Sequence, residues 1–328
     1  MPEITVIIPT FNRAQVLRET LKGYGRQSVR MNVFEVIVVD DGSTDETASV
    51  LQEAVKTAPY QIRTYLQQNQ GPGQARNWAI AEAQSPLVLI TGDDIIPHEN
   101  LLWEHLLRHS QSPADSKAVL GKVEWDPETP VSFFMHFITE LTNYQFGFHQ
   151  IKNAESASFR FFYTSNISLK TAFLRKQSGF HPAFIHAAYE DIELGYRLEK
   201  CGLEIAYQPR ALGYHRHPVT LSSFCDRQYK AGQMSVVMAQ LHPEFGAQAK
   251  PFASVAELEA HREQVVRQLV GLSATAKPLG LDTRAGQDWS VVPEEMKTGL
   301  CQFIAARLNA HHELGRVDRL RRLAAAPS

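Results

Sequence analysis

The sequence predicts an α/β protein: a mainly parallel sheet flanked by helices, followed by a helical C-terminal extension. Three observations predict it. Short apolar runs recur at residues 4–8, 36–39, 62–66 and 87–90, continuous rather than alternating, as in strands buried on both faces. Stretches of helical periodicity separate them, which implies right-handed βαβ units. After about residue 219 the pattern is helical alone.

Taken in order, Ile4 to Ile8 is a β-branched run closed by Pro9, read as the first strand. Asn12 is placed to cap a helix carrying Val16, Leu17, Leu21 and Tyr24 on one face. Val36 to Val39 forms the second strand. Ser43 and Glu46 have the spacing of a capping box that opens a helix with Ala48, Leu51 and Val55 inward. Ile62 to Leu66 is a third strand, Gly71-Pro72-Gly73 a turn, Gln74 to Ala83 a helix and Leu87 to Ile90 a fourth strand. Beyond residue 100 the regularity fades. Glu99 to His109 reads as a helix, and Ala118 to Val123 and Tyr163 to Leu169 as strands. Tyr189 to Lys200 is a helix closed by Gly202, and Leu203 to Tyr207 and Tyr214 to His217 are strands. Residues 254–270 and 293–323 have helical periodicity, with Pro, Gly and Thr between them. The division is a domain at 1–218 and a helical extension at 219–328.

Composition excludes several function classes. Of 328 residues, 33 are basic and 35 acidic, a net charge of -2, so no phosphate-neutralising surface points to nucleic acid. Cysteines at 201, 225 and 301 are too scattered for a disulfide framework or a CxxC zinc site. The N-terminus lacks the basic region and apolar length of a signal peptide, and no run reaches the roughly 18 apolar residues of a membrane span. A cytoplasmic protein is expected.

The second strand ends in Asp40-Asp41 and the fourth in Asp93-Asp94. In open parallel sheets ligands sit beyond the carboxyl ends of the strands, so both pairs face the same edge. Two adjacent carboxylates repel and resist desolvation. Loop aspartates also cap helices or bind only water. The alternative is that one pair accepts hydrogen bonds from a base or ribose while the other holds a hard divalent cation against a diphosphate. Arg76, in GPGQARNWAI, adds a cation, and the glycines beside Pro72 permit close backbone approach.

VIIPTFNR, VIVVDDGSTDET, GPGQARNWAI, LITGDDIIP and YEDIELGYRL stand in the order and spacing of family 2 glycosyltransferases with the GT-A fold, a resemblance covering about residues 3–217. It implies that Pro9, Thr10 and Phe11 line the nucleotide base, that Asp40 accepts from its imide with Asp41 nearby, and that Arg76 approaches base or diphosphate. The family's Asp-x-Asp metal motif aligns with Gly92 in its first position, Asp93 between and Asp94 last. Asp94 is then the direct ligand of Mn2+ or Mg2+, and Asp93 a donor contact. A slipped alignment makes Asp93 the ligand.

Glu190-Asp191 opens a helix, where the N-terminus keeps a carboxylate ionised. By the resemblance, Asp191 is the base of an inverting transfer and Glu190 its partner in the motif. His215 is a further metal or diphosphate contact, with His217 on the same strand face. Asn166 stands near the donor sugar. The implied activity moves a sugar from a nucleoside-diphosphate donor, UDP-linked before GDP or dTDP, to a hydroxyl of a glycan or lipid-linked glycan. Aromatic residues at 133–148 and 159–163 are core or sugar-stacking surface. The basic helix RVDRLRRL at 316–323 leaves open a peripheral contact with the inner membrane face, and the extension a homodimer. Rival classes are a catalytically silent sugar-nucleotide-binding protein, a receiver-like signalling module and a nucleotidyltransferase. The missing first Asp favours the first, while YEDIELGYRL and PTFNRA argue against the other two.

Overall fold

The computed structural model describes residues 1–246, 252–279 and 294–325. The chain runs β1 (Ile4–Thr10), α1 (Ala14–Tyr24), β2 (Phe34–Asp40), α2 (Thr47–Thr57), β3 (Gln61–Leu66), α3 (Pro72–Glu82), β4 (Leu87–Thr91) and β5 (Ile95–Pro97). There follow α4 (Leu101–Gln111), β6 (Lys117–Trp125), the single turn α5 (Phe133–His136), β7 (Asn166–Lys170), α6 (Thr171–Lys176), α7 (Glu190–Lys200) and β8 (Glu204–His215). The last helices are α8 (Leu221–Leu241), α9 (Pro243–Gly246), α10 (Val255–Leu279) and α11 (Glu294–Ala325). Two compact units result. One comprises Met1–Thr129, Phe146–Ile185 and Glu190–His217; the other comprises Pro130–Gln145, His186–Tyr189 and Pro218–Ser328. The second unit therefore takes in two short segments before residue 218 besides the helical extension.

The first unit is one eight-stranded sheet in the order β3-β2-β1-β4-β7-β6-β8-β5. β1 to β4 pair in parallel, as their continuous apolar runs require, because every residue of β1, β2 and β4 is buried. Each fully buried Ile, Val or Leu contributes about 1.5–3 kcal/mol. The apolar side chains of these strands divide between two cores. Ile7, Ile37, Val39 and Ile90 lie in one, and Ile4, Val6, Val36 and Leu89 in the other. β7 is antiparallel to both β4 and β6, and β6 is parallel to β8. β6 and β8 consequently run in the same direction as β1 to β4, and the ends of all six lie at one edge.

Local chemistry departs from the sequence expectations at the caps. Asn12 does not cap α1: it sits at φ 53, and its side chain accepts from Thr44 N at 2.7 Å. Asp45 covers the α1 terminus instead, accepting from Ala14 N at 3.1 Å. The Ser43–Glu46 capping box does not form; α2 starts at Thr47, whose N–H donates to Asp45 Oδ1 at 3.0 Å. The two strands expected at 203–207 and 214–217 are one strand, β8, which absorbs a register shift opposite Gly121/Lys122.

In the second unit Thr220 and Ser223 form a capping box that starts α8. α10 runs through Leu279, into the stretch expected as a break; residues 280–293 lie outside the described residues. Val265, Leu269 and Ala310 form a core with Leu272 and Leu314. α8 and α11 cross where a Cβ on Gly232 would lie 1.8 Å from His312 O, and one on Gly315 1.8 Å from Tyr229 O. Much of the basic stretch at 316–323 is tied within its own unit, while Arg322 and Leu323 are exposed. Val317 is fully buried, Arg316 pairs with Glu313 at 2.6 Å, Arg321 with Glu259 at 2.5 Å, and Asp318 accepts from Arg262 at 2.6 Å. Among the described residues no helix is long and apolar enough to cross a membrane.

Candidate active site

At the shared carboxyl edge, the ends of β1, β2 and β4 are stitched together. Asp41 N donates to Thr10 O at 2.9 Å, and Thr10 Oγ1 donates to Asp93 Oδ2 at 2.7 Å. The two adjacent aspartates of β2 have different fates. Asp41 accepts from Gln67 Nε2 at 2.7 Å, Gln70 N at 2.8 Å and Gly71 N at 2.9 Å, so it fixes the loop ahead of α3. Asp40 accepts from Ser43 N through Oδ1 at 2.8 Å, and no hydrogen bond to its other oxygen is present among the described residues. Gly42 is a glycine because it has φ +84 and a Cβ would meet Asn69 N at 3.1 Å. Pro9 is buried within β1, whereas Phe11 is 44% exposed at the rim.

Asp93 and Asp94 also diverge. Asp93 is buried against Thr10, and its backbone carbonyl accepts from Thr20 Oγ1 at 2.8 Å. Burial and the neighbouring charge of Asp94 push its carboxyl up, against the pull of Arg13. Burial would raise Asp94 as well, but His215, Arg13 and His217 outweigh it and hold that carboxyl well below the usual range. Asp94 Oδ2 meets Arg13 Nη1 at 2.5 Å and His215 Nε2 at 3.3 Å. A Cβ at Gly92 would lie 2.7 Å from Asp94 Oδ1, so the glycine in the first motif position makes room for this carboxylate rotamer. His215, the last residue of β8, stacks on Trp125 at the end of β6, with centroids 5.1 Å apart.

Asp94 Oδ2 and His215 Nε2 have the spacing of two neighbouring ligands of a divalent ion, which would share that oxygen with Arg13. Ligand bonds of about 2.1–2.3 Å at right angles place two donor atoms about 3.0–3.3 Å apart, and the Asp94–His215 separation is 3.3 Å. No group of three or more His, Cys, Asp or Glu side chains forms a metal cage among the described residues.

The third component is the start of α7. Glu190 is buried and accepts from Arg76 Nη1 at 3.0 Å, and the guanidinium lies 5.4 Å from the centre of the Phe180 ring. Asn77 brackets Phe180 by accepting from its N–H and donating to its carbonyl, each at 2.8 Å. Arg76 thus faces Glu190, not open solvent. Burial, then the charge of Asp191, raises the Glu190 carboxyl, and Arg76 opposes them. Asp191 is half-buried, with Oδ1 accepting from Ile192 N at 2.8 Å. Tyr163 is pushed up to about 12, by burial first and also by the charge of Asp191, against a hydrogen bond from Gly147 N. Tyr163 packs edge-on to Phe146 at 6.2 Å, and Phe146 packs edge-on to His215 at 5.4 Å. A run of contacts therefore joins Tyr163 through Phe146 and His215 to Asp94, and the charge of Asp191 reaches Tyr163.

Asn166, expected near the donor sugar, lies beneath the edge. It is fully buried, donates to Lys122 O at 3.0 Å and Ala211 O at 2.8 Å, and accepts from His105 Nε2 at 2.8 Å. With both amide hydrogens used, Oδ1 is the acceptor and His105 the donor. Burial, opposed by the Asn166 bond, depresses His105 to about 4, so the ring is neutral. Asn166 holds the irregular β6–β8 pairing together with both of its amide hydrogens. Sequence reasoning missed Arg13 and Trp125, and took Phe146 only as one of the aromatics at 133–148. Arg13 stands in the PTFNR segment and was readable there; the two aromatics carry no local signal.

This edge, with its paired carboxylates, belongs to a glycosyltransferase fold. The profile described as Glycosyl transferase family 2 matches residues 5–176, and the chain belongs to that family. Among curated relatives, validoxylamine A glucosyltransferase of Streptomyces hygroscopicus subsp. jinggangensis is 30% identical over 257 residues, 69% of this chain and 60% of its own. Chondroitin synthase of Escherichia coli is 26% identical over 68% of this chain and 36% of its own. The chain therefore spans less than two thirds of either relative. Among solved structures, the mannosyltransferase PcManGT from Pyrobaculum calidifontis, in complex with GDP-Man and Mn2+, aligns with a TM-score of 0.59 at 19% identity, covering 94% of this chain and 87% of that one. Staphylococcus aureus TarS 1–349, in complex with UDP-GlcNAc, aligns at 0.53 and 18% identity, covering 98% and 92%. These two show the GT-A fold.

Proposed function

We propose that the protein is an inverting, divalent-metal-dependent glycosyltransferase, moving a sugar from a nucleoside-diphosphate donor, UDP-linked in the first instance, to a hydroxyl of a glycan or lipid-linked glycan. The Asp94–His215 pair supports the reading: a carboxylate and an imidazole 3.3 Å apart, linked through Phe146 to Tyr163, which feels the charge of half-buried Asp191. Thr10 and Phe11 flank the base, with buried Pro9 beneath them, and Asp40 offers its second oxygen to an imide N–H. Asp41 and Arg76 support the pocket through the loop and Glu190, not by touching the donor. The ion, held by Asp94 and His215 with Asp93 behind, would neutralise the charge that develops on the leaving diphosphate. Asp191 accepts the acceptor's hydroxyl proton as the oxygen attacks the anomeric carbon from the face opposite the leaving group. One C–O bond forms as the other breaks, the nucleoside diphosphate departs, and no sugar–enzyme bond is needed.

The test is donor hydrolysis over a panel of UDP-, GDP- and dTDP-sugars, with and without Mn2+ or Mg2+, on wild type and Asp94→Ala. Metal-stimulated release of nucleoside diphosphate that Asp94→Ala abolishes supports the reading. Binding of sugar nucleotides without turnover of any of them, glycan acceptors included, would leave a silent sugar-nucleotide-binding protein.

A further inference from the structure

A histidine that binds a metal through one ring nitrogen normally has its orientation fixed by a hydrogen bond from the other. His215 lacks that device. Its Nε2 faces Asp94 Oδ2 at 3.3 Å, but its Nδ1 is buried with no hydrogen-bond partner among the described residues. What surrounds the ring is aromatic. Trp125 lies nearly parallel to it, at 5.1 Å and 27°, and Phe146 stands perpendicular to it, at 5.4 Å and 88°. The backbone of Phe146 is in the left-handed region at φ 53, an unfavourable place for a bulky residue. Such strain persists where the surroundings impose it, and it gathers at functional sites. Phe146 is itself braced, stacked on Phe148 at 6.1 Å and against Tyr163 at 6.2 Å.

We propose that Trp125 and Phe146 are positioning residues that lock the His215 imidazole by packing, so that Nε2 is held toward Asp94 for a divalent cation. The proposal rests on the metal reading above and adds what orients its imidazole ligand. A plane on one side and an edge on another leave the ring little freedom to rotate about its Cβ–Cγ bond. Packing replaces the missing polar contact, and the cost of placing Phe146 is taken up in its backbone. The same geometry puts an indole beside the ion, so bound Mn2+, being paramagnetic, quenches Trp125 emission.

The experiment titrates Mn2+ into the full chain with saturating UDP. Free Mn2+ is followed by electron paramagnetic resonance and tryptophan emission in parallel, and folding of each variant is checked by circular dichroism. Wild type binds with partial quenching. Trp125→Phe, which keeps a stackable ring, retains the affinity within about threefold and loses the quench. Trp125→Ala and Phe146→Gly weaken Mn2+ binding by about 10- to 100-fold, the usual range for removing a ligand's supporting partner. The glycine also relieves the backbone strain, so a loss of affinity there is due to the ring. Should Trp125→Ala fail to fold, Trp125→Leu, which keeps bulk without a plane, takes its place. The lock is overturned if these variants bind Mn2+ as wild type while His215→Ala does not, or if Trp125→Phe keeps the quench. If Asp94→Ala and His215→Ala both bind Mn2+ normally, the metal reading itself fails.

Discussion

Removing Arg76 strands a buried carboxylate. The Arg76 and Glu190 side chains are 9% and 4% exposed, their hydrogen bond is 3.0 Å long, and they come together from positions 114 residues apart. At an effective dielectric of about 20, opposite unit charges at that distance attract by about 5 kcal/mol, most of which is offset by desolvation. Deleting only the cation forfeits the attraction and keeps the cost, so Arg76→Ala should destabilise the sheet unit by about 3–5 kcal/mol at pH 7.5. The pH dependence follows from the direction of the shift. Glu190 already has a raised folded-state pKa, which loss of Arg76 raises further. A carboxyl that binds its proton more tightly folded than unfolded loses stability as pH rises above its unfolded value, so the deficit should shrink toward pH 5. In Arg76→Ala/Glu190→Gln no charge is stranded, and that chain should be the more stable of the two at pH 7.5. Urea denaturation followed by tryptophan emission reads this out, since Trp78, Trp103 and Trp125 all lie in the sheet unit. An Arg76→Ala cost below about 1 kcal/mol, or one equal at pH 5 and 7.5, would refute the reasoning.

Two further substitutions test the scaffold. Asn166→Ala leaves Lys122 O, Ala211 O and His105 Nε2 without partners and should cost about 2–4 kcal/mol by the same urea assay. KM for the donor should stay unchanged in the fraction that folds; a raised KM would return Asn166 to the sugar site. Gly315→Ala pushes a methyl to 1.8 Å from Tyr229 O and should destabilise the helical unit by about 1–3 kcal/mol, seen as a lower helical melting temperature by circular dichroism. An unchanged melt would mean that the α8–α11 crossing is not closely packed.

The strands legible in the sequence were those whose burial is written locally. Ile4–Ile8, Val36–Val39 and Leu87–Ile90 are apolar without a break, and only a doubly covered sheet accommodates that. The antiparallel insertion of β7 and the single long β8 were not legible, because pairing between segments about 75 to 90 residues apart is decided by register and not by composition. The caps failed for a related reason: Asn12 and Asp45 each serve the other's loop across about 30 residues, which no window of local spacing reveals. In the site, Asp94, His215, Glu190 and Asp191 were readable from motif order. The resemblance put Asp40 ahead of Asp41, but what Asp41 does instead was not legible, since it depends on the Gln67, Gln70 and Gly71 donors folding back on that carboxylate. Asn166 was placed near the donor sugar by motif resemblance alone, and its burial and amide partners come from β6 and β8, which local sequence does not show.

The central claim is that Asp191 takes the acceptor proton. The most direct measurement compares kcat of Asp191→Asn with wild type, on whichever sugar nucleotide and acceptor the panel identifies, alongside donor affinity by calorimetry. The substitution keeps shape and hydrogen-bonding capacity while removing basicity. The account predicts a fall in kcat of about 10²- to 10⁴-fold with donor affinity unchanged. Turnover by Asp191→Asn at a near wild-type rate would contradict it.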